Sequence, residues 1–138
     1  MDWRLLALLS ALFASLTAIF SKLGVKDMNA NLALAIRVTI ILALTWGIVL
    51  CSGTLPQIRQ LNARHWLFLV LSAVATGLSW MFYFMALQKG DVSKVAPIDK
   101  LSVVITIAIG VLFLHEAFSL KLLLGGLLIT AGSLVLLL

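Results

Sequence analysis

The sequence predicts an all-α integral membrane protein with five transmembrane helices. Hydrophobic residues make up 63% of the 138 residues and charged residues only 11%, whereas ordinary globular domains carry about 25% charged residues. The apolar residues form continuous runs rather than the alternating pattern of a half-buried strand. Each run is close to the ~20 residues that a helix needs to cross the ~30 Å hydrocarbon core. The predicted helices cover about residues 3–20, 32–50, 66–87, 92–117 and 122–138 of a single domain that spans residues 1–138.

The charged residues exclude several other classes of protein. The net charge is +5, but the ten basic residues are scattered along the chain and form no basic face of the kind that binds nucleic acid. Basic residues beside apolar runs are typical of membrane boundaries. The expected surroundings are therefore a lipid bilayer, in the inner (cytoplasmic) membrane of a cell. Cys51 is the only cysteine, so no disulfide can form within the chain.

The first three predicted helices are apolar with a few polar or aromatic positions. In the first, alanines recur at helical spacing and would let a neighbouring helix approach closely, although alanine is also simply common in membrane helices. The second carries one charged residue, Arg37. Pro56 in the next connection should break any helix before it. Trp80 and Tyr83 in the third are three residues apart and share a face, where they could line a cavity or serve as packing or interface residues.

The fourth predicted helix carries Pro97, Asp99 and Lys100 within its first three turns. Ionised groups at such depth are costly, and they usually mark a substrate or ion pathway or a buried pair. Pro97 has no N–H, so the carbonyl of Ser93 loses its helical partner. Asp99 and Lys100 are ~100° apart around a helix, and we expect them to point at different places.

Polar and aromatic groups from several predicted helices fall at one depth. At a rise of ~1.5 Å per residue, five such residues lie roughly 7–14 Å from the same membrane boundary. They are Arg37, Trp80, Tyr83, Asp99 and Lys100. Arg37 and Asp99 could neutralise each other as a structural pair, or they could serve a substrate. If Arg37 holds Asp99, Lys100 is the better candidate to face the cavity. The predicted substrate-binding residues are Arg37, Trp80, Tyr83, Pro97, Asp99, Lys100 and Ser102.

The fifth predicted helix is the candidate dimer interface. Gly125 and Gly132 are seven residues apart and lie on one face of the helix. Small residues at such positions permit close contact between membrane helices.

The basic residues predict no single orientation in the membrane. An excess of Lys and Arg on cytoplasmic loops normally fixes orientation, but when Arg37 and Lys100, which lie within the membrane, are left out, each side has four. We therefore expect insertion in both orientations and an antiparallel homodimer, because two inverted five-helix units would reproduce an inverted-repeat transporter. One orientation with a parallel dimer, or a different inverted partner, is the alternative. The residues are Arg4, Arg59, Arg64 and Lys121 on the side of the N-terminus and Lys22, Lys26, Lys89 and Lys94 on the other.

No pattern typical of catalysis is present. His115 and Glu116 are adjacent, but the second histidine of a zinc-binding HExxH motif is missing. Paired carboxylates, a nucleophile elbow and a Gly-rich phosphate loop are also lacking. We expect neither an enzyme nor a bound metal or cofactor.

A resemblance to a known family covers essentially the whole chain. Residues 86–132, ALQKGDVSKVAPIDKLSVVITIAIGVLFLHEAFSLKLLLGGLLITAG, resemble the C-terminal half of an EamA domain of the drug/metabolite transporter superfamily. Several positions match the family's pattern. They are Arg37, Tyr83, Pro97, Glu116 at the end of the FLHE stretch, and the glycines of the last predicted helix. The stretch PIDKLS is similar to that of small single-domain bacterial and archaeal members.

The resemblance implies a secondary transporter. It makes residues 1–138 one EamA-type unit, half of a ten-helix inverted-repeat molecule, whereas typical members carry two such domains in one chain. The family exports amino acids, metabolites, nucleotide sugars and drugs, so the resemblance implies no particular substrate. Glu116 lies at a predicted helix end, and we do not expect it to be a coupling residue.

The leading hypothesis is therefore an exporter or exchanger of a small metabolite or drug-like molecule. It would work by alternating access, with the site between two protomers. Lys100 could bind a carboxylate or phosphate group, Asp99 could carry a coupling proton or meet a cation, and Trp80 and Tyr83 would line the walls. A lipid-carrier flippase, as small relatives of the superfamily are, is one alternative. The other is a non-transporting membrane subunit that needs a larger partner.

Overall fold

The computed structural model describes residues 2–138, and within that range it contains helices and no strands. The predicted all-α class is therefore confirmed. A short 3₁₀ helix, Leu55–Gln60, lies between α2 and α3. The α-helices are α1 (Trp3–Gly24), α2 (Ala30–Cys51), α3 (Ala63–Lys89), α4 (Val92–Asp99), α5 (Leu101–Phe113) and α6 (Leu120–Val135).

Four helical segments are long and apolar enough to cross a membrane. They are α1, α2, α3 and the combined stretch Val92–Phe113, which holds α4 and α5. Helix α6 is apolar but has only 16 residues, which is ~24 Å of helix against a ~30 Å hydrocarbon core. The predicted count of five transmembrane helices is not confirmed, because the described residues form four such spans and one shorter apolar helix.

The starts of α2 and α6 are set by side-chain caps. The side-chain oxygen of Asn29 accepts hydrogen bonds from the backbone N–H groups of Asn31 (2.9 Å) and Leu32 (3.3 Å). The Ser119 hydroxyl accepts one from the N–H of Leu122 at 3.2 Å. Such caps satisfy N–H groups that have no partner within the helix. Both helices therefore begin two residues before the predicted positions.

Helix α2 ends where Gly53 takes a left-handed conformation, with φ of 66°. Glycine adopts this conformation readily because it has no Cβ, and it is a common helix terminator. Pro56 follows at the start of the 3₁₀ helix, so the prediction that no helix continues to Pro56 is confirmed.

The fourth predicted helix, 92–117, is interrupted at Lys100, and the prediction of one continuous helix is wrong. The N–H of Lys100 bonds to the carbonyl of Pro97, three residues back, at 3.1 Å. This tighter turn replaces the regular four-residue pattern just after the proline, whose ring clashes with the preceding helical turn. Helix α5 begins with the next residue, Leu101.

Helix α5 ends at Phe113, four residues before the predicted position. His115 is in a left-handed conformation with φ of 53°, which a regular helix cannot contain. The carbonyl of Gly110 accepts the N–H groups of Leu114 (3.2 Å) and Glu116 (3.1 Å). The Glu116 side chain folds back over this turn, where a Cβ added to Gly110 would lie 2.9 Å from its carboxylate oxygen Oε2.

The chain divides into two compact units, residues 2–19 with 89–138 (the terminal unit) and residues 20–88 (the central unit). In the terminal unit, α6 contacts both α4 and α5. The residues of α6 that are buried are Gly126 and Ser133, and a Cβ added to Gly126 would lie 3.9 Å from Val104 of α5. Gly125 and Gly132, the predicted dimer face, have open space beside them.

The central unit is held together where the end of α1 and the following loop meet the end of α3. Val25 and Leu87 are fully buried there. The ammonium group of Lys22 donates a hydrogen bond to the carbonyl of Leu87 at 2.6 Å. In the opposite direction, the side-chain amide of Gln88 donates to the carbonyl of Met28. These two bonds join the α1–α2 loop to the last turn of α3.

Candidate functional site

The predicted site residues fall into two groups, one in each unit. The structure places Arg37 on α2, Trp80 and Tyr83 on α3, Pro97 and Asp99 on α4, Lys100 at the joint between α4 and α5, and Ser102 in the first turn of α5. Within each unit a subset of these residues comes together. Their membership of one common site stays a prediction, as does the pairing of Arg37 with Asp99.

In the central unit, Arg37 stacks on aromatic rings of α3. Its guanidinium carbon Cζ lies 4.4 Å from the centroid of the Trp80 ring and 5.6 Å from that of Phe84. Both distances are within the ~6 Å range of a cation–π interaction. Phe84 is buried and Trp80 half-buried, so the cation lies against a packed aromatic surface. Tyr83 is close enough to interact electrostatically with Arg37.

The guanidinium of Arg37 has no hydrogen bond or ion pair among the residues described in the central unit. Its five N–H donors lie in the plane of the group and point away from the guanidinium carbon. Asp27 is the only carboxylate among residues 20–88, and it lies in the connection between α1 and α2. The central unit thus contains a membrane-segment cation with aromatic support and unused donors.

In the terminal unit, Asp99 and Lys100 form an ion pair. The Lys100 ammonium nitrogen lies 3.6 Å from the Asp99 carboxylate oxygen Oδ2, and their side chains are 56% and 38% exposed. The expectation that these two residues point at different places is wrong, because it assumed a regular helix. The tightened turn at Lys100 allows the two charged ends to meet.

Sequence analysis did not identify Ser133 as part of this region. The Ser133 hydroxyl, on α6, donates a hydrogen bond to the carbonyl of Pro97 at 3.0 Å, and Ser133 is only 4% exposed. Hydroxyl side chains on neighbouring helices commonly bond to backbone groups near a proline in a membrane helix, although the carbonyl that Pro97 itself leaves without a helical partner is that of Ser93. That rule could have suggested Ser133, the only serine in the body of the last helix. Ser102, which was predicted, is exposed.

Each unit also contains a depression that the predicted site residues do not line. In the central unit a cleft of about 620 Å³ lies at the joined end of α1 and α3. It contains two lysines, Lys22 and Lys26, and one carboxylate, Asp27. In the terminal unit an apolar groove of about 250 Å³ lies between α5 and α6, with Gly126 and Thr130 among its lining residues.

Comparison with known proteins identifies the family. The model of the EamA-like transporter family matches residues 1–138. An uncharacterized transporter encoded in the cobO 3′ region of Sinorhizobium sp. is 48% identical over 135 residues, which cover 98% of this chain and 96% of the relative. An uncharacterized protein of Methanocaldococcus jannaschii is 30% identical over 93 residues, covering 65% and 68% respectively. No solved structure matches this chain. The chain therefore belongs to the EamA-like transporter family and is a multi-pass membrane transporter.

Proposed function

We propose that this chain is a secondary transporter, in the cytoplasmic membrane, that exports or exchanges a small metabolite or drug-like molecule by alternating access. The observation that carries this proposal is the break at Lys100 inside the span Val92–Phe113. Irregular backbone at membrane depth is tolerated only where it is buried in protein or lines a water-filled cavity. Discontinuous membrane helices form the substrate and ion sites of several families of secondary transporters, and the turn at Lys100 is a local, one-residue departure from the regular helix.

The ion pair at the break supplies the charged groups for transport. Asp99 would carry the coupling proton or meet a cation, and Lys100 would exchange its contact with Asp99 for an acidic group of a substrate. In a water-filled cavity this pair, whose side chains are 38–56% exposed, would be worth little as a structural bond, about 0–1 kcal/mol. Its partners can therefore separate at small cost during a transport cycle.

The transporter would work as an antiparallel homodimer. The four basic residues on each side favour insertion in both orientations, and a pair of inverted units would complete an inverted-repeat transporter. The face of α6 that carries Gly125 and Gly132 has open space beside it within one chain, so a helix of a second copy has room to pack there.

Transport by the purified protein in liposomes tests the main proposal. Labelled amino acids, organic acids, amines and nucleosides form the substrate panel. We expect uptake of at least one class, abolished in Asp99→Asn and in Lys100→Gln. Asp91→Asn and Lys94→Gln, which make the same changes near the start of α4, should retain it. Uptake that survives in both Asp99→Asn and Lys100→Gln would refute a site at the break.

The orientation needs a separate measurement. Reporters that are active on only one side of the membrane, fused to the C-terminus, should each give a signal if the chain inserts both ways. A signal from one side alone would exclude dual insertion and leave a parallel dimer or a different inverted partner. A chain that purifies without a second copy of itself would favour a subunit that requires another protein.

The apolar groove of the terminal unit favours one second candidate, a lipid-carrier flippase. Its lining is almost entirely hydrocarbon, including Val104, Leu122 and Leu127, and such a surface suits an acyl or isoprenoid chain. Movement of a fluorescent isoprenoid phosphate between the leaflets of the same liposomes tests it. Lipid movement with no uptake of soluble compounds would favour the flippase.

A further inference from the structure

We propose that Arg37 is the anion receptor of this transporter and binds a carboxylate or phosphate group of a water-soluble substrate through two parallel N–H groups. This inference rests on the proposed transport function and narrows its substrate class to organic anions. It gives α2 an anion-binding group of its own, the guanidinium of Arg37, in addition to the role proposed for Lys100, whose ammonium group contacts Asp99 at 3.6 Å.

The stack on Trp80 prepares Arg37 for this role. The guanidinium carbon lies over the Trp80 ring, 4.4 Å from its centroid. Because an aromatic ring is not a conventional hydrogen-bond acceptor, the five N–H donors of the guanidinium stay available. Two of these can bind the two oxygens of a carboxylate or phosphate side by side, which is the geometry that arginine favours. Phe84, with its ring centroid 5.6 Å from the same carbon and 3% exposed, gives the stack a fixed surface. Less conformational freedom is then lost when the anion binds.

The charges of the central unit favour an external anion. An arginine within a membrane helix is costly and almost always pairs with an acidic group, a carbonyl or water. Arg37 has no such partner among the described residues of its own unit, whose single carboxylate, Asp27, lies in the α1–α2 connection. The basic residues of the unit outnumber it five to one, which favours attraction of anions. They are Lys22, Lys26, Arg37, Arg59 and Arg64.

The depth of Arg37 favours a soluble anion over a lipid phosphate. Arg37 is seven residues after Ala30, the first residue of α2, which corresponds to ~10 Å along the helix. Trp80 is nine residues before Lys89, the last residue of α3, or ~14 Å. The stack thus lies well inside the span, whereas lipid phosphates lie in the headgroup region outside the hydrocarbon core.

The fluorescence of Trp80 reports directly on this site. Changing Trp3, Trp46 and Trp66 to Phe leaves Trp80 as the only tryptophan, and these three residues are exposed. The probes are succinate, glutamate, glycerol 3-phosphate and, as a cation, choline, titrated into the purified protein in neutral detergent. We expect a saturable change in Trp80 emission with at least one of the three anions and none with choline.

Variants of the two stacked arginines of the central unit provide the matched comparison. Arg37→Lys keeps the charge but lacks the planar fork, so we expect binding to be at least ~10-fold weaker, and Arg37→Gln should abolish it. Arg64 is the control, because it lies over Phe68 with its Cζ 5.9 Å from the ring centroid, at the start of α3. Arg64→Gln should bind the anion like the parent. Helicity by circular dichroism checks that each variant is folded.

Several results would overturn the inference. A change in Trp80 emission with an anion that persists in Arg37→Gln, or a change with choline alone, would do so. So would no change with any of the three anions. A change only with vesicles of anionic phospholipid would indicate a lipid phosphate instead. Failure of the transport proposal looks different. Anion binding that is lost in Arg37→Gln, with no flux of the same anion into liposomes, keeps the receptor and refutes transport. Flux of a cationic or neutral compound that continues in Arg37→Gln keeps transport and refutes the receptor.

Discussion

The hydrogen bond between α6 and α4 gives the most direct test of how the interrupted span is held. Replacing Ser133 with Ala removes the hydroxyl that donates to the Pro97 carbonyl at 3.0 Å. Hydrogen bonds between membrane helices contribute about 0.6 kcal/mol on average, with a maximum near 1.7. The carbonyl keeps a second donor, the N–H of Lys100 at 3.1 Å, so no buried group is left without a partner. We therefore expect a loss of about 0.5–1 kcal/mol in the free energy of unfolding.

Unfolding in mixed micelles with increasing denaturing detergent, followed by circular dichroism, measures this loss. The control is Thr106→Val on α5. The Thr106 hydroxyl bonds to the carbonyl of Ser102 in its own helix at 2.8 Å and is exposed, so its removal should change stability by less than about 0.5 kcal/mol. The two variants thus separate a bond between helices from a bond within one.

Two results would refute this reasoning. Equal stability of Ser133→Ala and the parent would mean that the bond to Pro97 does not hold α6 against α4. A loss well above the ~1.7 kcal/mol maximum would mean that the carbonyl of Pro97 has no effective second donor. The hydrogen bond from the N–H of Lys100 to the carbonyl of Pro97 would then be absent from the protein in micelles.

Further predictions concern the ends of helices and the dimer face. Lys22→Met removes a charged donor from the carbonyl of Leu87 and should lower the free energy of unfolding by about 1–2 kcal/mol, whereas Lys26→Met, an exposed position, should change it little. His115→Gly relieves a left-handed backbone, with φ of 53°, and should raise the thermal midpoint through a gain of about 0.5–1 kcal/mol. Gly132→Leu fills the open space on α6 and should convert a dimer to a monomer in size-exclusion chromatography with light scattering.

Each of these has a contrary outcome. Equal losses for Lys22→Met and Lys26→Met would indicate a general effect of charge rather than a bond to the end of α3. A less stable His115→Gly variant would show that the imidazole itself makes a necessary contact. A Gly132→Leu variant that remains dimeric would exclude this face of α6 from the interface.

The helical class and three of the spans could be predicted from apolar runs alone. The run from residue 92 to 117 was continuous in hydropathy, but backbone geometry decided where the helix stopped. A residue in the left-handed conformation follows the end of both α5 and α2. Of the two, only Gly53 is a residue type from which a helix end can be predicted in a sequence. His115 also adopts the left-handed conformation, but histidine does not signal a helix end, so the end of α5 could not be predicted from the sequence.

Individual site residues were easier to identify than their partners. Arg37, Asp99 and Lys100 stand out because charged residues are rare in apolar helices. Which group each one contacts depends on packing that the sequence does not encode locally. The stack on Trp80 requires α2 and α3 to meet at a particular height, and the contact between Asp99 and Lys100 requires the tightened turn after Pro97. The ~100° that separates adjacent residues on a regular helix predicted that Asp99 and Lys100 point apart, whereas their charged groups meet at the turn.

The two reciprocal hydrogen bonds at the end of α3 have a consequence for motion. Because Lys22 donates to the carbonyl of Leu87 and Gln88 donates to that of Met28, the α1–α2 loop and the end of α3 are joined at two points, and we expect them to move together. The span Val92–Phe113 is different, because the regular helical ladder lapses at Pro97 and Lys100. Helices bend most readily where such hydrogen bonds are missing, so we expect bending of this span to be concentrated at the joint. Asp99 and Lys100, the charged residues at the break, would then lie at the bend itself.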